Sequence, residues 1–238
     1  MADTQQQNPE LNLQALREEL RRRDATAFVV PRADEYLGEY IPEHNERLRW
    51  LTGFTGSAGM AVVLADRAAM FTDGRYTVQV RRQVSAADYE YRHLIEEPAL
   101  PWLGEQLSAG DRVLVDTRMC SRNWYREAER ILGAVGVQLI GTTDNPIDAC
   151  WHDRPAAKVA PALLLGEEFT GEGSEAKRQR VGALLQDRGL DAALVFAADS
   201  VSWLLNIRGR DVPRLPVLLS YGIIEADGTM HVVVRPER

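Results

Sequence analysis

The hydrophobic and polar positions at the start of the chain predict a helix followed by a strand. Apolar residues recur at helical spacing over residues 13–20, directly after Asn8 and Pro9, and this order is typical of a capped helix start. Residues 27–30 are all apolar and end at a proline, which indicates a buried strand. The chain is therefore expected to open with one amphipathic helix and one buried strand.

Helix-like and strand-like segments then alternate as far as residue 140. The predicted helices cover 45–51, 76–84, 102–107 and 123–132, and the predicted strands cover 60–64, 68–72, 89–95, 113–116 and 137–140. Such alternation predicts an α/β fold, with helices on the faces of a mixed sheet. Several prolines from 146 to 161 interrupt the pattern and indicate a linker.

A shorter set of elements follows this break. A helix is expected from Ser174, which can cap it, to a stop at Gly189, and then a strand at 192–196 and a helix at 200–205. Asp-Gly at 227–228 lies between two apolar runs and predicts a hairpin. We place the first domain at 1–150, a linker at 151–172 and a second domain at 173–238. The second domain is expected to be incomplete, because the first has about seventy further residues after its own hairpin.

Two segments repeat the same order of strand, tryptophan-bearing helix, glycine turn and hairpin. Trp50 and Gly53 mark the first copy, and Trp203 and Gly209 mark the second. The first copy has about fourteen extra residues between its strand and its tryptophan, so the match is one of order and not of period. The repeat indicates a duplicated domain. Both tryptophans lie in apolar helical patterns and are predicted to pack in cores, with surface recognition as the alternative.

Composition and charge narrow the classes of function. The chain is 45% hydrophobic and 26% charged, which is the composition of an ordinary globular protein. Its 238 residues are enough for two domains. The net charge of −7 argues against a nucleic-acid partner, which requires a concentrated positive field. The arginine clusters at 21–23 and 81–82 are accordingly interpreted as solvated helix faces.

The cysteines and the apolar runs indicate in which cellular compartment the protein is expected. Cys120 and Cys150 are distant in sequence, and residues 2–7 are polar with no signal-like stretch. These features predict a reduced, cytoplasmic setting. The longest apolar runs are too short to span a bilayer, so no membrane insertion is expected.

Few residues form a recognisable catalytic pattern. The four histidines are isolated from one another and lack acidic partners at helical spacing, so no metal site is expected from this chain alone. Ser57 lies in a glycine-rich stretch whose spacing differs from a nucleophile elbow, and a turn or packing role is expected. Cys120 lacks a nearby base and is expected to be a small buried residue.

Arg75 is the most informative polar residue. It directly follows a glycine turn at a predicted helix start, where its positive charge fits the helix dipole poorly. A structural pair with Asp73 is one explanation for this arginine. The other is a guanidinium that binds a carboxylate or peptide carbonyl arriving from outside the domain.

Four further segments occur in a fixed order: residues 45–59, Phe71-Thr72-Asp73-Gly74-Arg75-Tyr76, Trp151-His152-Asp153-Arg154-Pro155 and residues 203–213. Together they resemble the front part of the three-domain Xaa-Pro aminopeptidases, the aminopeptidase P family. The resemblance extends from about residue 13 to the last residue. Each motif alone is weak, whereas the ordered set is specific.

The resemblance implies two tandem creatinase-like N-terminal domains followed by a catalytic domain of the pita-bread fold. In that family the catalytic domain uses two Asp, one His and two Glu to hold two metal ions, usually manganese. The enzymes remove an N-terminal residue that precedes proline. No position in this chain matches those metal ligands, and Arg75 matches the one position in these domains expected to reach the bound peptide.

Two hypotheses follow from the resemblance. The first is the non-catalytic N-terminal part of such an aminopeptidase, which helps to shape substrate access to a metal site outside this chain. Its partner would be a peptide with proline in the second position, and assembly into a homo-oligomer stays open. The second is a stand-alone creatinase-like module that binds a peptide or protein without catalysis.

Overall fold

A computed structural model describes residues 8–235, so the polar residues 2–7 and the last three residues lie outside the described part. The chain divides into two compact units. One consists of Met1–Glu39 and His44–Pro155, and the other of Tyr40–Glu43 and Ala156–Arg238. The domain boundaries given above stay a prediction.

The first unit alternates helices and strands. In chain order the elements are α1 (Pro9–Arg22), β1 (Ala27–Pro31), α2 (Arg47–Thr52), β2 (Met60–Leu64), β3 (Ala68–Thr72), α3 (Thr77–Gln83), β4 (Glu90–His93), α4 (Ala99–Gln106), β5 (Arg112–Asp116), α5 (Arg122–Gly133), β6 (Gln138–Thr142) and α6 (Pro146–Cys150). Asn8 caps α1 through its side chain, with Pro9 as the first helical residue. This helix start is as predicted.

The six strands form one mixed sheet in the order β4-β3-β2-β1-β5-β6. β2 is antiparallel to both of its neighbours, with Val62 opposite Val29 of β1 and Ala69 of β3. The remaining neighbouring pairs are parallel. The carboxyl ends of β1, β3, β4, β5 and β6 therefore meet at one edge of the sheet, which we call the carboxyl edge.

Helices cover both faces of this sheet. On one face, Phe28, Val63 and Met70 pack in a core with side chains of α1, α2 and α6. On the other face, Val29 and Phe71 pack with side chains of α4 and α5. Neighbouring residues of one strand point to opposite faces, so these largely apolar strands supply both cores. The predicted mixed sheet flanked by helices is confirmed.

The second unit is smaller. Its elements are β7 (Leu163–Leu164), α7 (Glu167–Thr170), α8 (Ser174–Asp187), β8 (Ala192–Val195), α9 (Ala198–Leu205), β9 (Ile207–Arg208), β10 (Tyr221–Glu225) and β11 (Met230–Val233). β10 pairs antiparallel with β8 and β11, and Gly228 has a φ of +86° in the predicted hairpin turn. β7 and α7 lie within residues 151–172, which the sequence pattern assigned to a linker.

One face of the three-stranded sheet in the second unit carries the core. Leu185 of α8, Leu204 of α9 and Ile224 of β10 pack together there. On the opposite face, Leu194, Phe196 and Val233 are each at least 60% exposed. The sheet of the second unit thus has one exposed apolar face. In the first unit, by contrast, helices cover both faces of the sheet.

Two predictions for the second unit are wrong. Trp203 is 44% exposed, whereas Trp50 is 4% exposed and in the core as expected. The indole of Trp203 instead lies over the ammonium of Lys177, with 4.5 Å from the nitrogen to the ring centre, a favourable cation–π contact. Ser174 does not cap α8. Gly173 occupies the cap position, and the Ser174 hydroxyl donates a hydrogen bond to the carbonyl oxygen of Leu204.

Candidate functional site at the carboxyl edge

The carboxyl edge holds the turns that carry the predicted site residue. In sheets with parallel strands, ligands bind outside the carboxyl ends of the strands. A short 3-10 turn follows β3 at Gly74–Tyr76, and a second follows β5 at Thr117–Met119. Because β3 and β5 run in the same direction, both turns lie at this edge. Arg75 belongs to the first of them.

Asp73 fixes the guanidinium of Arg75. The Nε and Nη2 atoms of Arg75 donate to the two carboxylate oxygens of Asp73, with the shortest distance 2.8 Å to Oδ2. The backbone N–H of Arg75 also donates to Asp73 Oδ1 at 3.0 Å. This forked geometry leaves Nη1 of Arg75 directed away from the pair. The structural pair considered from the sequence is therefore present, and it also orients the arginine.

The pair is exposed to solvent. The Arg75 side chain is 62% exposed and the Asp73 side chain 17%. Hydrogen bonds from Arg75 lower the pKa of Asp73 below its ordinary value, so this carboxylate stays charged at neutral pH. Exposed ion pairs contribute little to stability. The fold therefore gains little from Arg75, and its guanidinium remains accessible to an external acceptor.

A hydrogen-bonded tyrosine supports the turn. The hydroxyls of Tyr76 and Ser57 share a hydrogen bond at 2.8 Å in which either can donate, and Oε1 of Glu39 lies 3.4 Å from the Ser57 hydroxyl. This bond with Ser57 lowers the pKa of Tyr76. The Tyr76 ring meets Phe54 edge-on at 5.6 Å between ring centres. Ser57 thus has the turn and packing role expected from the sequence.

Gly56 is required by this arrangement. A Cβ atom at position 56 would lie 2.3 Å from Cζ of Phe54 and 2.9 Å from Cδ1 of Tyr76. Both rings would have to move to accept any side chain. The glycine of the motif therefore sets how closely the loop approaches the ring that follows Arg75.

The turn after β5 repeats the Arg75 geometry. Nε and Nη2 of Arg118 bind the two carboxylate oxygens of Asp116, again with 2.8 Å to Oδ2. Here the aspartate is buried and also accepts a bond from Asn145 at 3.0 Å. Burial acts to raise the pKa of Asp116, but the bonds from Arg118 and Asn145 outweigh it and lower the pKa. The shared Asp-x-Arg pattern after an apolar strand is a signal that our sequence analysis missed.

Two of the motifs behind the resemblance meet in one ionic network. Oδ1 of Asp148 accepts a hydrogen bond from Nε of Arg47 at 2.7 Å, and Oδ2 forms an ion pair with Nη1 of Arg154 at 2.8 Å. Asn45 Oδ1 accepts a bond from each of the same two arginines. Burial lowers the pKa of Arg154, and the nearby charge of Arg47 adds to that shift. This network ties the segment at 45–47 to the end of the first unit and has a structural role.

A buried aspartate precedes this network along the chain. Asp34 is fully buried and accepts the backbone N–H of Tyr36 at 3.0 Å. Burial raises the pKa of Asp34 to about 6 from an ordinary value of 3.8, and the charge of Glu35 adds to the shift. The carboxyl group therefore binds its proton more tightly in the folded chain than in the unfolded chain.

We expect stability to fall as pH rises from about 4 to 6, because the unfolded state then releases the Asp34 proton while the folded state holds it. Above that window the penalty is constant, at about 2 to 3 kcal/mol. The Asp34→Asn variant should lose this pH dependence. Urea unfolding of both proteins at pH 4, 5, 6 and 7 measures it, and parallel pH profiles for the two proteins would contradict the prediction.

The histidines do not converge on one another. Nε2 of His231 pairs with Glu225 at 2.7 Å, and Nδ1 of His93 accepts backbone N–H groups of Ile95 and Glu96. Among residues 8–235 there is no group of three or more His, Cys, Asp or Glu side chains that could hold a metal ion. In the same part of the chain, no helix is long and apolar enough to cross a membrane.

The first unit is a six-stranded mixed sheet flanked by helices. The second is an α/β unit in which the order of strand, helix and hairpin recurs. The chain is therefore a tandem α/β domain protein. Its sequence matches the family Creatinase/Prolidase N-terminal domain over residues 12–150, and a second form of that family over 153–238. Because these matches span most of the chain, it belongs to the Creatinase/Prolidase N-terminal domain family.

The proteins similar to this chain include Xaa-Pro aminopeptidases of mammals. Human Xaa-Pro aminopeptidase 2 is 34% identical over 220 residues, and the rat protein of the same name is 30% identical over 234 residues. These matches cover 91% and 97% of this chain but only 33% and 35% of the relatives. The chain therefore spans about a third of their length.

A solved structure has the same fold. The X-prolyl aminopeptidase of Caenorhabditis elegans, described as a cytosolic enzyme with a di-nuclear active site, superposes with a TM-score of 0.89 at 27% identity. The match covers 98% of this chain and 40% of the nematode chain. The predicted resemblance to the aminopeptidase P family is confirmed.

Proposed function

We propose that this chain is the non-catalytic N-terminal part of an Xaa-Pro aminopeptidase. The observation that carries the proposal is that almost the whole chain matches about a third of such enzymes, while the two matching family models are N-terminal domains. In this proposal the two units help to shape substrate access to a C-terminal active site. That site would use two metal ions, manganese by the family resemblance, and its substrate would be a peptide with proline in the second position.

Arg75 is the proposed contact between this chain and the peptide. Its guanidinium is oriented by Asp73 through two atoms, and its exposed side chain contributes little to the fold. A peptide carbonyl or carboxylate is a suitable acceptor for the remaining N–H groups, because charge-assisted bonds to guanidinium are strong and directional. The hydrogen bond between the hydroxyls of Ser57 and Tyr76 links the turn that carries Arg75 to the glycine-rich loop.

The proposed compartment is the cytoplasm. The nematode relative is described as cytosolic, and the two cysteines of this chain are both free. A reducing compartment suits free thiols.

We expect the purified 238-residue chain to retain no stoichiometric manganese or zinc and to cleave no Xaa-Pro peptide. Metal-assisted hydrolysis needs several converging ligands and an open coordination position, and the proposal places these in a separate domain. Metal analysis by mass spectrometry and a peptidase assay with added Mn²⁺ test the expectation. One or two bound ions per chain together with turnover would contradict it.

A second candidate is a stand-alone module that binds a peptide or protein. The exposed apolar side chains of Leu194, Phe196 and Val233 in the second unit favour it, since exposed apolar patches mark interaction surfaces. The mass of the protein purified from its natural source separates the two candidates. A mass near three times that of this chain supports the aminopeptidase, and a mass near 26.7 kDa supports the module.

A further inference from the structure

The carboxyl edge of the first unit also holds a cavity between the ends of β1 and β5. From β1 the chain continues to β2 on one side, and β5 adds on the other side of β1 after the chain has completed β4. Such a reversal of strand order opens a crevice at the carboxyl ends, where parallel sheets bind ligands. The cavity is thus placed where the topology favours a binding site.

The lining of this cavity is almost entirely apolar. Its volume is about 250 Å³, and its lining includes Val29 and Val115 of the sheet and Trp124 of α5. Met60 and Met119 also line it. Designed apolar cavities of about 150 Å³ bind benzene, so the size suits a single aromatic ring with a short substituent.

The polar groups in the lining are neutral. The Ser121 hydroxyl accepts the backbone N–H of Trp124 as the cap of α5, at 3.2 Å. Cys120 is a thiol whose pKa is raised, mainly by burial. Neither Arg nor Lys nor a carboxylate lines the cavity. A charged ligand would lose its hydration without gaining an ionic partner, so the lining favours an uncharged one.

Leu37 lines the cavity in a strained conformation. It is 50% exposed and has a φ of +52°, a left-handed region that is unfavourable for leucine. Its N–H donates to the carbonyl of Asp34 at 3.0 Å, and this turn lies in the extra segment of the first copy of the repeat. Strain of this kind persists where surrounding structure holds it, and it clusters at ligand sites.

We propose that this cavity binds one uncharged aromatic ring, either as a free small molecule or as the side chain of a phenylalanine in a peptide. The ring would lie among Val29, Val115, Trp124 and Leu37. This site does not depend on the proposed peptidase function, and it is separate from Arg75, which follows β3.

The test is NMR of the purified chain with ¹³C-labelled methionine methyl groups. Toluene is the free ring, N-acetyl-phenylalaninamide is the ring carried on a peptide unit, and benzoate is the charged counterpart. We expect toluene to shift Met60 and Met119 saturably while Met70 and Met230 stay unchanged, because the latter two lie outside the cavity. Benzoate should bind at least about tenfold more weakly than toluene.

Variants of Cys120 provide the matched pair. Cys120→Leu adds volume to the lining and should weaken toluene binding by about tenfold or more. Cys120→Ser keeps the volume and should change it by less than about threefold. Unshifted Met70 and Met230 resonances show that each variant is folded.

Each result has a defined meaning. Saturable shifts with both rings support a site open to peptide side chains, and shifts with toluene alone support a small-molecule site. The proposal is overturned if neither ring shifts Met60 and Met119, if benzoate binds as tightly as toluene, or if Cys120→Leu binds toluene as the unaltered chain does.

Discussion

Replacement of Arg75 by alanine is expected to lower the catalytic efficiency of the proposed full-length aminopeptidase by about ten- to a hundredfold. This corresponds to the loss of one charge-assisted hydrogen bond to the substrate. The melting temperature of the present chain should hardly change, because Arg75 and Asp73 form an exposed pair. The measurements are kcat/KM for an Xaa-Pro peptide and thermal unfolding of the 238-residue chain.

Arg118 offers a matched control with the opposite expectation. It binds Asp116 with nearly the same distances, but that aspartate is buried. Arg118→Ala should therefore destabilise the fold by about 1 to 3 kcal/mol and leave kcat/KM per folded molecule unchanged. A chain that unfolds on Arg75→Ala, with normal efficiency in the residual folded enzyme, would reduce Arg75 to a structural partner of Asp73.

Among the substitutions proposed for this chain, removal of the Asp148 carboxylate is expected to cause the largest loss of stability. The side chain of Arg47 is only 5% exposed, and Asp148→Ala would leave it and Arg154 without their shared carboxylate. Breaking a buried ion pair by removing one partner costs about 3 kcal/mol or more. Urea unfolding of the purified chain measures the change in free energy of unfolding, which should be large compared with the effect of Asp153→Ala at an exposed neighbour.

A double variant tests the cause of this loss. If uncompensated charge is the reason, Arg154→Leu should cost less in the Asp148→Ala background than in the unaltered chain, because it then removes one of two facing cations. Equal costs in both backgrounds would show that the two residues contribute independently. In that case packing at 148, and not charge, would account for the effect.

The local sequence pattern was sufficient to predict most helices and strands of the first unit. The strands at 60–64 and 68–72 are correct because each is a short apolar run bounded by turn residues. The start of α1 is correct because its cap acts within three residues. Such signals are local, and neighbouring residues carry them completely.

Contacts between residues that are distant in sequence could not be predicted from the sequence and were found only in the structure. Asp148 is 101 residues from Arg47, and no pattern of spacing predicts a bond across that distance. Trp203 follows the same helical pattern as Trp50, but periodicity does not reveal whether another layer covers the helix. The position of Arg75 at a sheet edge likewise follows from strand direction, which the sequence alone left open. Its contact with a peptide stays a prediction.

The extra segment between β1 and α2 has a consequence for how this architecture can vary. In the second unit, β8 ends at Val195 and α9 begins at Ala198, whereas in the first unit the corresponding connection runs from Pro31 to Arg47. The longer connection leaves the register between β1 and β2 intact. Lengthening a surface loop costs little entropy. Insertions at the carboxyl edge can thus create new recognition surfaces while the strand pairing beneath them is inherited unchanged.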